Sequence, residues 1–319
     1  MLEKSEIVIV GAGIAGCSAA IAAAKENKKV LLIEKSATIG GHAINSNVGT
    51  ICGAYYRTFS ESPRLTGYQF SKDFIQKLIS VTENKKPLQH DKGLYIFSYE
   101  WSVLKKLLEQ ELIDNGIQLI KNSEIIEVKK EKSQITSLLI KINNETIEIK
   151  PKVVIDCSGN GIISLLANLE MISSNSYQSA SQIFRVQKVN SDNEFSLNIA
   201  LKKAMVTLVN ENGWPQSFKS LSIVPGSLKN KQADLKITLP ETITDNKETN
   251  DALNILAKAY VHEIFPSLTP IIESLKDSSI HTIFPQLGIR VQQRSKGKYI
   301  LTETDVLSCK KYDIGIALG

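Results

Sequence analysis

Near its N-terminus the chain carries a segment that restricts its fold more than any other, "IVIVGAGIAGCSAAIAAAKENKKVLLIEK" at residues 7–35. The β-branched run at 7–10 predicts a strand, the alanine-rich stretch after the glycines predicts a helix, and residues 29–33 predict a second strand. Gly11 permits a tight turn, Gly13 allows close backbone approach to a pyrophosphate, and Gly16 allows the helix to pack closely on the strand. The helix N-terminus then faces the phosphates.

A carboxylate completes the pattern at the end of the second strand. Glu34 lies about 20 residues beyond the glycines, where a dinucleotide-binding unit places an acid that accepts hydrogen bonds from a ribose. The segment therefore predicts a dinucleotide-binding βαβ unit. The alternative is a purely structural βαβ unit in which the glycines serve packing alone.

Length and composition bound the remaining possibilities. The 319 residues suggest about two units of roughly 150 residues each, and 42% hydrophobic with 22% charged residues is typical of a globular protein. The net charge of +5 comes from dispersed lysines without a basic block, which argues against a nucleic-acid partner.

The cysteines indicate a reducing compartment. Cys17, Cys52, Cys157 and Cys309 form neither a CxxC pair nor a metal-ligand spacing, so we expect free thiols and no metal site. The N-terminus lacks a basic signal-peptide region, and no run reaches the roughly 18 apolar residues of a membrane span. We therefore expect a cytoplasmic protein without a membrane partner.

The rest of the chain predicts further elements. Residues 36–56, rich in Gly, Ser and Asn, predict a long functional loop. Periodicity predicts helices at 72–83, at 99–116 and near 251–264, and alternation predicts a meander of strands at 125–129, 135–142 and 146–149. A buried strand at 153–155 should lie beside the first strand, a short strand is expected at 298–301, and Thr302 with Asp305 has the spacing of a capping box.

Four stretches together resemble the FAD-dependent oxidoreductase family built on the glutathione-reductase-type flavin fold. They are "GAGIAG" with Glu34 and Lys35, "IGGHA" at 39–43, "VVIDCSGNG" at 153–161, and "GIRVQQRSKGKYILTETDV" at 288–306. The resemblance implies an α/β fold: a Rossmann-like FAD-binding domain with a parallel central sheet, a β-meander insertion, and a second α+β region on the substrate side. The implied division is 1–161 for the FAD domain with its meander at 123–150, 162–284 for a substrate or cap region, and 285–319 for a truncated return segment.

The resemblance also implies which residues contact FAD. Gly40 and Gly41 would contact the pyrophosphate or ribityl chain, unless they form an ordinary flexible loop; Ile125 would contact the adenine, and Gly159 would lie near the ribose end. The full set of expected FAD contacts is Gly11, Gly13, Ile14, Ala15, Gly16, Glu34, Lys35, Gly40, Gly41, His42, Ala43, Ile125, Cys157, Ser158 and Gly159.

Departures from the family pattern reduce charge at the expected site. Val291 replaces a usual Glu, Gln293 replaces the first Arg of a pair, and Cys157, Ser158 and Asn160 alter the usual Ala-Thr-Gly-Asp turn.

The catalytic candidates are Arg290 and Cys52. Arg290, like Arg294, would stabilise a reduced flavin, pair with a substrate carboxylate, or form a structural salt bridge. Cys52 would face the substrate side of the ring or be a small buried thiol. His42 would act as a proton relay or ring contact, or be a loop histidine bonded to backbone.

The leading functional prediction is an FAD-dependent oxidoreductase chain that removes a hydride from a small organic substrate. Family members continue to a final glycine-rich turn and helix, which this sequence lacks. Three explanations fit: a second polypeptide supplies the segment, the chain is a fragment, or the protein has lost part of the site. The first is favoured, so we expect a second protein subunit and a heteromer. The alternatives are a degenerate flavin-fold protein acting as a non-catalytic scaffold, and an NAD-binding protein that uses the first βαβ unit alone.

Overall fold

A computed structural model describes residues 5–60, 62–83, 85–174, 177–244, 246–290 and 293–313. In chain order the first half contains β1 (Ile7–Val10), α1 (Ile14–Lys25), β2 (Val30–Ile33), α2 (His42–Asn45), β3 (Thr50–Ile51), α3 (Gln69–Val81), β4 (Leu88–Asp91), β5 (Leu94–Ser98), α4 (Trp101–Asp114), β6 (Gln118–Ile120), β7 (Ser123–Glu131), β8 (Gln134–Ile142), β9 (Glu145–Ile149) and β10 (Val153–Asp156). The second half contains α5 (Ile162–Leu166), β11 (Met171–Ile172), β12 (Ser179–Gln187), α6 (Glu194–Asn212), β13 (Ser222–Ile223), β14 (Gln232–Thr242), α7 (Lys247–Leu268), β15 (Ser279–Ile283), β16 (Arg294–Ser295) and α8 (Glu303–Leu307).

The first βαβ unit builds a parallel sheet. Its strand order is β10-β1-β2-β6, and β1 pairs in parallel with both β2 and β10. The prediction that the strand at 153–155 lies beside the first strand is therefore confirmed. Both faces of this sheet are covered, which explains why its strands are continuous apolar runs.

Alternate residues of the sheet enter different cores. Ile9 and Leu32 pack with α1 and α4, whereas Val8 and Leu31 pack against the meander β7-β8-β9 and α5. The predicted meander is confirmed, with longer strands than expected.

A second sheet, antiparallel and ordered β13-β14-β12-β15, is formed by residues of the middle section. One face of this sheet carries apolar side chains, including Phe184 and Leu235, that pack against α6 and α7. Because side chains alternate along a strand, Arg185, Asp234 and Lys236 lie on the opposite face. That face is turned towards the first unit.

Some sequence predictions need correction. Residues 298–301 do not form a strand, because Tyr299 turns back and donates a hydrogen bond from Oη to Asp305 Oδ2 at 2.6 Å. The predicted capping box of Thr302 and Asp305 is present at the start of α8. The loop at 36–56 contains the short α2 and β3, and the helix expected at 72–83 is α3, which begins and ends earlier. Val291 lies outside the described residues.

Candidate cofactor site

A cavity of about 510 Å³ lies at the carboxyl ends of β1, β2 and β10. Ligands of open parallel sheets bind at this edge. The cavity brings together ten of the residues expected from the sequence: Gly11, Gly13, Glu34, Lys35, Gly41, His42, Ile125, Cys157, Ser158 and Gly159.

The three glycines of the first turn have different physical roles. A Cβ at Gly11 would lie 2.5 Å from the carbonyl oxygen of Cys157, and a Cβ at Gly16 would lie 1.8 Å from the carbonyl oxygen of Gly11. Both positions are therefore needed for packing of the chain on itself. A Cβ at Gly13 would meet nothing nearer than Gly41 Cα at 4.0 Å, so this glycine opens onto the cavity.

The second glycine pair is attached to the first turn. Gly40 forms a parallel bridge with Gly13, and its N–H donates to the Ala12 carbonyl at 2.7 Å. The φ angles of +92° at Gly40 and +54° at Gly41 are ones that side chains rarely adopt. These residues are thus hydrogen-bonded structure rather than free loop, and Gly41 reaches the cavity.

Glu34 is buried at the end of β2 and organises the first turn. Its Oε2 accepts a hydrogen bond from the Ala12 N–H at 2.7 Å, and its Oε1 accepts one from the Ser36 N–H at 2.8 Å. A carboxylate has about four lone-pair sites, so it retains acceptor capacity on the cavity side. The carboxylate can hold the backbone turn and a ribose hydroxyl together.

The turn after β10 forms another part of the cavity wall, and the carboxylate of Asp156 holds this turn in place. This carboxylate accepts hydrogen bonds from the N–H groups of Ser158 at 3.0 Å and Ile163 at 2.9 Å. These bonds hold Ser158 and Gly159 against the cavity; Gly159 has φ +84° and open space around its Cβ position. Asp156 was not among the expected site residues, although an acid directly after a buried strand is a signal that could have identified it.

Two titratable groups on the cavity wall are held neutral. Burial, reinforced by the charge of Lys35, lowers the pKa of His42, and burial raises the pKa of the Cys157 thiol. The ring of His42 makes no hydrogen bond within the described parts of the chain, so it is not the backbone-bonded loop histidine considered above. A neutral imidazole facing the cavity can both donate and accept a proton.

The remaining expected residues lie outside the cavity wall. Ile14, Ala15, Gly16, Gly40 and Ala43 lie in the turns and helices behind the wall. The two catalytic candidates, Arg290 and Cys52, are exposed and are also outside it. Arg290 donates to Gln178 Oε1 at 2.9 Å and forms no salt bridge with another described residue, and exposure of Cys52 excludes the buried-thiol alternative.

Sequence reasoning missed the wall that the middle section contributes. Asn250, Asp251 and Asn254 of α7 line the cavity, together with Leu287 and Ile289. This wall is positioned by long-range hydrogen bonds, among them Ser46 Oγ donating to the Leu287 carbonyl at 2.9 Å. No local pattern in the sequence signals contacts between residues so far apart.

The geometry defines a class: an α/β protein with a nucleotide-type site at the edge of a parallel sheet and a meander beside it. The chain belongs to the FAD dependent oxidoreductase family, which it matches over residues 6–319. FAD is the cofactor of this family. The cavity fits the group, because Gly13 and Gly159 leave its wall open and Gly13, as the N-cap of α1, places the N-terminus of that helix at the wall.

Curated relatives match limited parts of the chain. It is 37% identical over 84 residues to an NADH:fumarate oxidoreductase of Klebsiella pneumoniae, covering 26% of this chain and 8% of that protein. It is 30% identical over 157 residues to a tRNA uridine 5-carboxymethylaminomethyl modification enzyme of Clostridium botulinum, covering 48% of this chain and 24% of that protein. The matched regions thus span less than a quarter of either relative.

Solved structures share the fold. A geranylgeranyl bacteriochlorophyll reductase-like protein from Thermoplasma acidophilum aligns with TM-score 0.50 and 16% identity over 91% of this chain and 66% of that one. The myxobacterial chondrochloren halogenase, described as FAD-dependent, aligns with TM-score 0.50 and 15% identity over 91% and 63%. At these identities the likeness concerns the fold alone.

Within the described residues, no helix combines the length and apolarity needed to cross a membrane.

Proposed function

We propose that the chain is an FAD-dependent oxidoreductase that removes a hydride from a small organic substrate. The observation that carries the proposal is the cavity at the carboxyl ends of β1, β2 and β10, where the turns after these strands bring Glu34 and His42 to one wall. A bound flavin supplies the redox chemistry, so the protein needs to bind, orient and exclude water.

The residues of the cavity have separate tasks in this proposal. Gly13 and Gly159 leave room for the cofactor backbone, and Glu34 accepts from a ribose hydroxyl. The apolar side chains of Leu287 and Ile289 exclude water from the wall opposite the turns. His42 lies on the described wall with an imidazole whose pKa is lowered by desolvation and by the charge of Lys35, which suits it to hold or transfer a proton at a ring nitrogen.

A second protein chain is part of the proposal. Apolar side chains stand exposed in the segment around α8, with Leu301 62% and Leu307 76% accessible. Exposed apolar side chains concentrated in one segment favour association with a partner. We place the complex in the cytoplasm, because four free cysteines suit a reducing compartment.

The test is the visible spectrum of the chain purified alone and purified after co-expression with the adjacent reading frame, with the released cofactor identified. Stoichiometric FAD in either preparation, reduced by a substrate under anaerobic conditions, is the expected result. A chain that is colourless in both preparations but still binds its neighbour would refute the oxidoreductase and favour the non-catalytic scaffold.

A further inference from the structure

The two sides of the cavity differ in charge. The side formed by the first unit carries Lys35, the sole lysine or arginine among the described residues of the wall. The side formed by α7 carries a carboxylate, Asp251, and no described cation. Asp251 is exposed, and within the described chain its carboxylate makes neither a salt bridge nor a hydrogen bond. The α7 side of the cavity therefore presents a negative charge that the fold does not pair.

A buried amide without a partner lies on the same cavity. Asn45, at the end of α2, is only 8% exposed, yet its side-chain amide makes no hydrogen bond with any other described residue. Its polar atoms are not sealed from solvent, so they open onto the cavity that Asn45 lines. Asn250 of α7 differs, because its Oδ1 accepts from the Thr244 N–H at 3.0 Å and its Nδ2 donates to the Thr244 carbonyl at 2.7 Å. Asn250 serves the fold, whereas Asn45 is available to a ligand.

A second acceptor without a donor lies beside Asp251. Asn254 lines the cavity, and its Nδ2 donates to the Pro285 carbonyl at 3.0 Å, but its Oδ1 is buried and accepts no hydrogen bond in the described ranges. Such an acceptor costs free energy until a donor reaches it. Residues three apart on a helix are neighbours, with Cβ atoms about 5–6 Å apart, so Asp251 and Asn254 share one face of α7.

One segment joins Asn45 to this face of α7. The Gln286 N–H donates to the Asn45 carbonyl at 3.2 Å, and the preceding residue, Pro285, accepts from Asn254. Two successive residues of the segment are thus bonded to α2 and to α7. This arrangement brings the carboxylate of Asp251 and the amide oxygens of Asn45 and Asn254 to the same part of the cavity wall.

We propose that Asp251, Asn45 and Asn254 form a subsite at the α7 side of the FAD cavity that binds the ammonium group of an amine substrate. An ammonium group has three N–H donors and no acceptor, which matches a wall of acceptors. Its bond to a carboxylate is charge-assisted and therefore stronger than a neutral one. A carboxylate substrate would instead meet the charge of Asp251 with no described cation beside it.

The substrate role rests on the proposed oxidoreductase function, whereas the cation subsite itself does not. Hydride removal from the carbon beside the nitrogen, with loss of one N–H proton to solvent, converts an ammonium substrate to an iminium ion. The electron pair leaves with the hydride to the flavin. The subsite would hold the nitrogen in place for this reaction.

Binding of n-butylammonium to the full chain tests the charge preference. The neutral analogue is n-butanol and the anionic analogue is butyrate. The Kd of each is measured by ligand-observed NMR at constant ionic strength, with FAD-loaded and with cofactor-free protein. We expect n-butylammonium to bind more tightly than both analogues, and equal Kd values for n-butylammonium and n-butanol would overturn the subsite.

Asp251→Asn should weaken n-butylammonium binding at least about fivefold, the effect of one unit charge about 4 Å away in water-like surroundings, and leave n-butanol binding unchanged. The matched control is Glu263→Gln, which removes a charge from an exposed residue of α7 outside the cavity wall. Glu263 lies about 18 Å further along the helix axis, beyond the screening length, so this variant should bind like the wild type. A ratio of the two Kd values that is unchanged in folded Asp251→Asn would remove Asp251 from the subsite and overturn the proposal.

Asn45→Leu distinguishes a ligand contact from a structural amide. It should weaken n-butylammonium binding about two- to tenfold, the effect of one lost hydrogen bond, without lowering the midpoint of urea unfolding. A lowered midpoint with unchanged binding would show that the amide serves the fold, and would overturn its place in the subsite.

The two forms of the protein separate the subsite from the oxidoreductase. A preference for n-butylammonium that is present without FAD but lost with FAD bound would show that the cofactor covers the acceptors, and would overturn the substrate assignment. A preference retained with FAD bound, in a protein whose flavin stays oxidised with a panel of primary amines under anaerobic conditions, would support the cation subsite and refute its role in amine oxidation.

Discussion

Replacing Gly13 by valine separates cofactor binding from folding. The backbone at Gly13 has φ −68° and ψ −177°, which valine adopts without strain, and its Cβ would have no protein atom closer than 4.0 Å. The loss of a glycine N-cap should therefore reduce the free energy of unfolding by no more than about 1 kcal/mol. The branched side chain would instead project into the cavity where the cofactor backbone must approach.

The expected result is loss of FAD by a folded protein. Displacing the pyrophosphate should weaken FAD binding by at least about 100-fold, equivalent to roughly 2.7 kcal/mol. The matched control is Gly16→Val, whose Cβ would lie 1.8 Å from the Gly11 carbonyl oxygen. This variant should lose about 3 kcal/mol or more of stability, because the helix must move away from the strand.

The assay pairs two measurements on each variant: urea unfolding without added FAD, and flavin content by absorbance with titration of the cofactor-free protein. Gly13→Val should unfold near the wild-type midpoint and bind no FAD, whereas Gly16→Val should unfold much earlier. Stoichiometric FAD in folded Gly13→Val would refute the assignment of this turn to the cofactor.

Three further outcomes follow from the geometry. Asp156→Asn should lower the free energy of unfolding by about 1–3 kcal/mol and weaken FAD binding. The reason is that an NH₂ group replaces one of the two carboxylate oxygens that accept from the N–H groups of Ser158 and Ile163. The control is Asp277→Asn at an exposed position, and equal stability of the two variants in urea would contradict the prediction. Arg185→Met should cost about 3–5 kcal/mol, because the buried Asp234 keeps its hydrogen bond from Asn47 but loses its cation. Lys129→Met, in an exposed pair, should cost less than about 1 kcal/mol. Similar losses in urea unfolding would count against the buried network. The pKa of His42 is lowered in the folded protein, so at acidic pH the unfolded chain binds more protons than the folded one. The folded state therefore keeps its full stability above pH about 6.5, the ordinary pKa of histidine, and loses stability as the pH falls towards the folded pKa. His42→Gln should therefore reduce the loss of stability between neutral pH and pH about 5, measured by urea unfolding, and an identical pH profile in the variant would disprove the shift.

Local signals account for what the sequence predicted well. The first βαβ unit, the meander and the capping box of α8 each depend on residues close together in the chain, and each is present. The strand expected at 298–301 is wrong, although Tyr299, Ile300 and Leu301 are residue types that favour strands. Here too a contact close in sequence decides the structure. The Tyr299–Asp305 hydrogen bond and the Thr302 cap hold this segment against the start of α8 instead of pairing it with a strand.

Long-range contacts account for what the sequence could not predict. Leu287 and Asn254 reach the cavity only because the two sheets dock, and nothing near them in the sequence signals that contact. The pairing of Arg185 with both Asp234 and Glu100 likewise depends on which carboxylates the docked face supplies. A sequence shows which residues are charged, but the fold determines which of these charges are paired with each other.

The shared cavity couples cofactor binding to the docking of the two sheets. Its walls come from the turns after β1, β2 and β10 on one side and from α7 with Leu287 on the other, so a ligand that touches both walls binds only the docked arrangement. By mass action such a ligand must stabilise that arrangement. The Arg185–Glu100 pair and the Asn47–Asp234 hydrogen bond hold the same arrangement without lining the cavity. Weakening them should therefore lower FAD affinity from a distance, and bound FAD should offset part of their loss in stability.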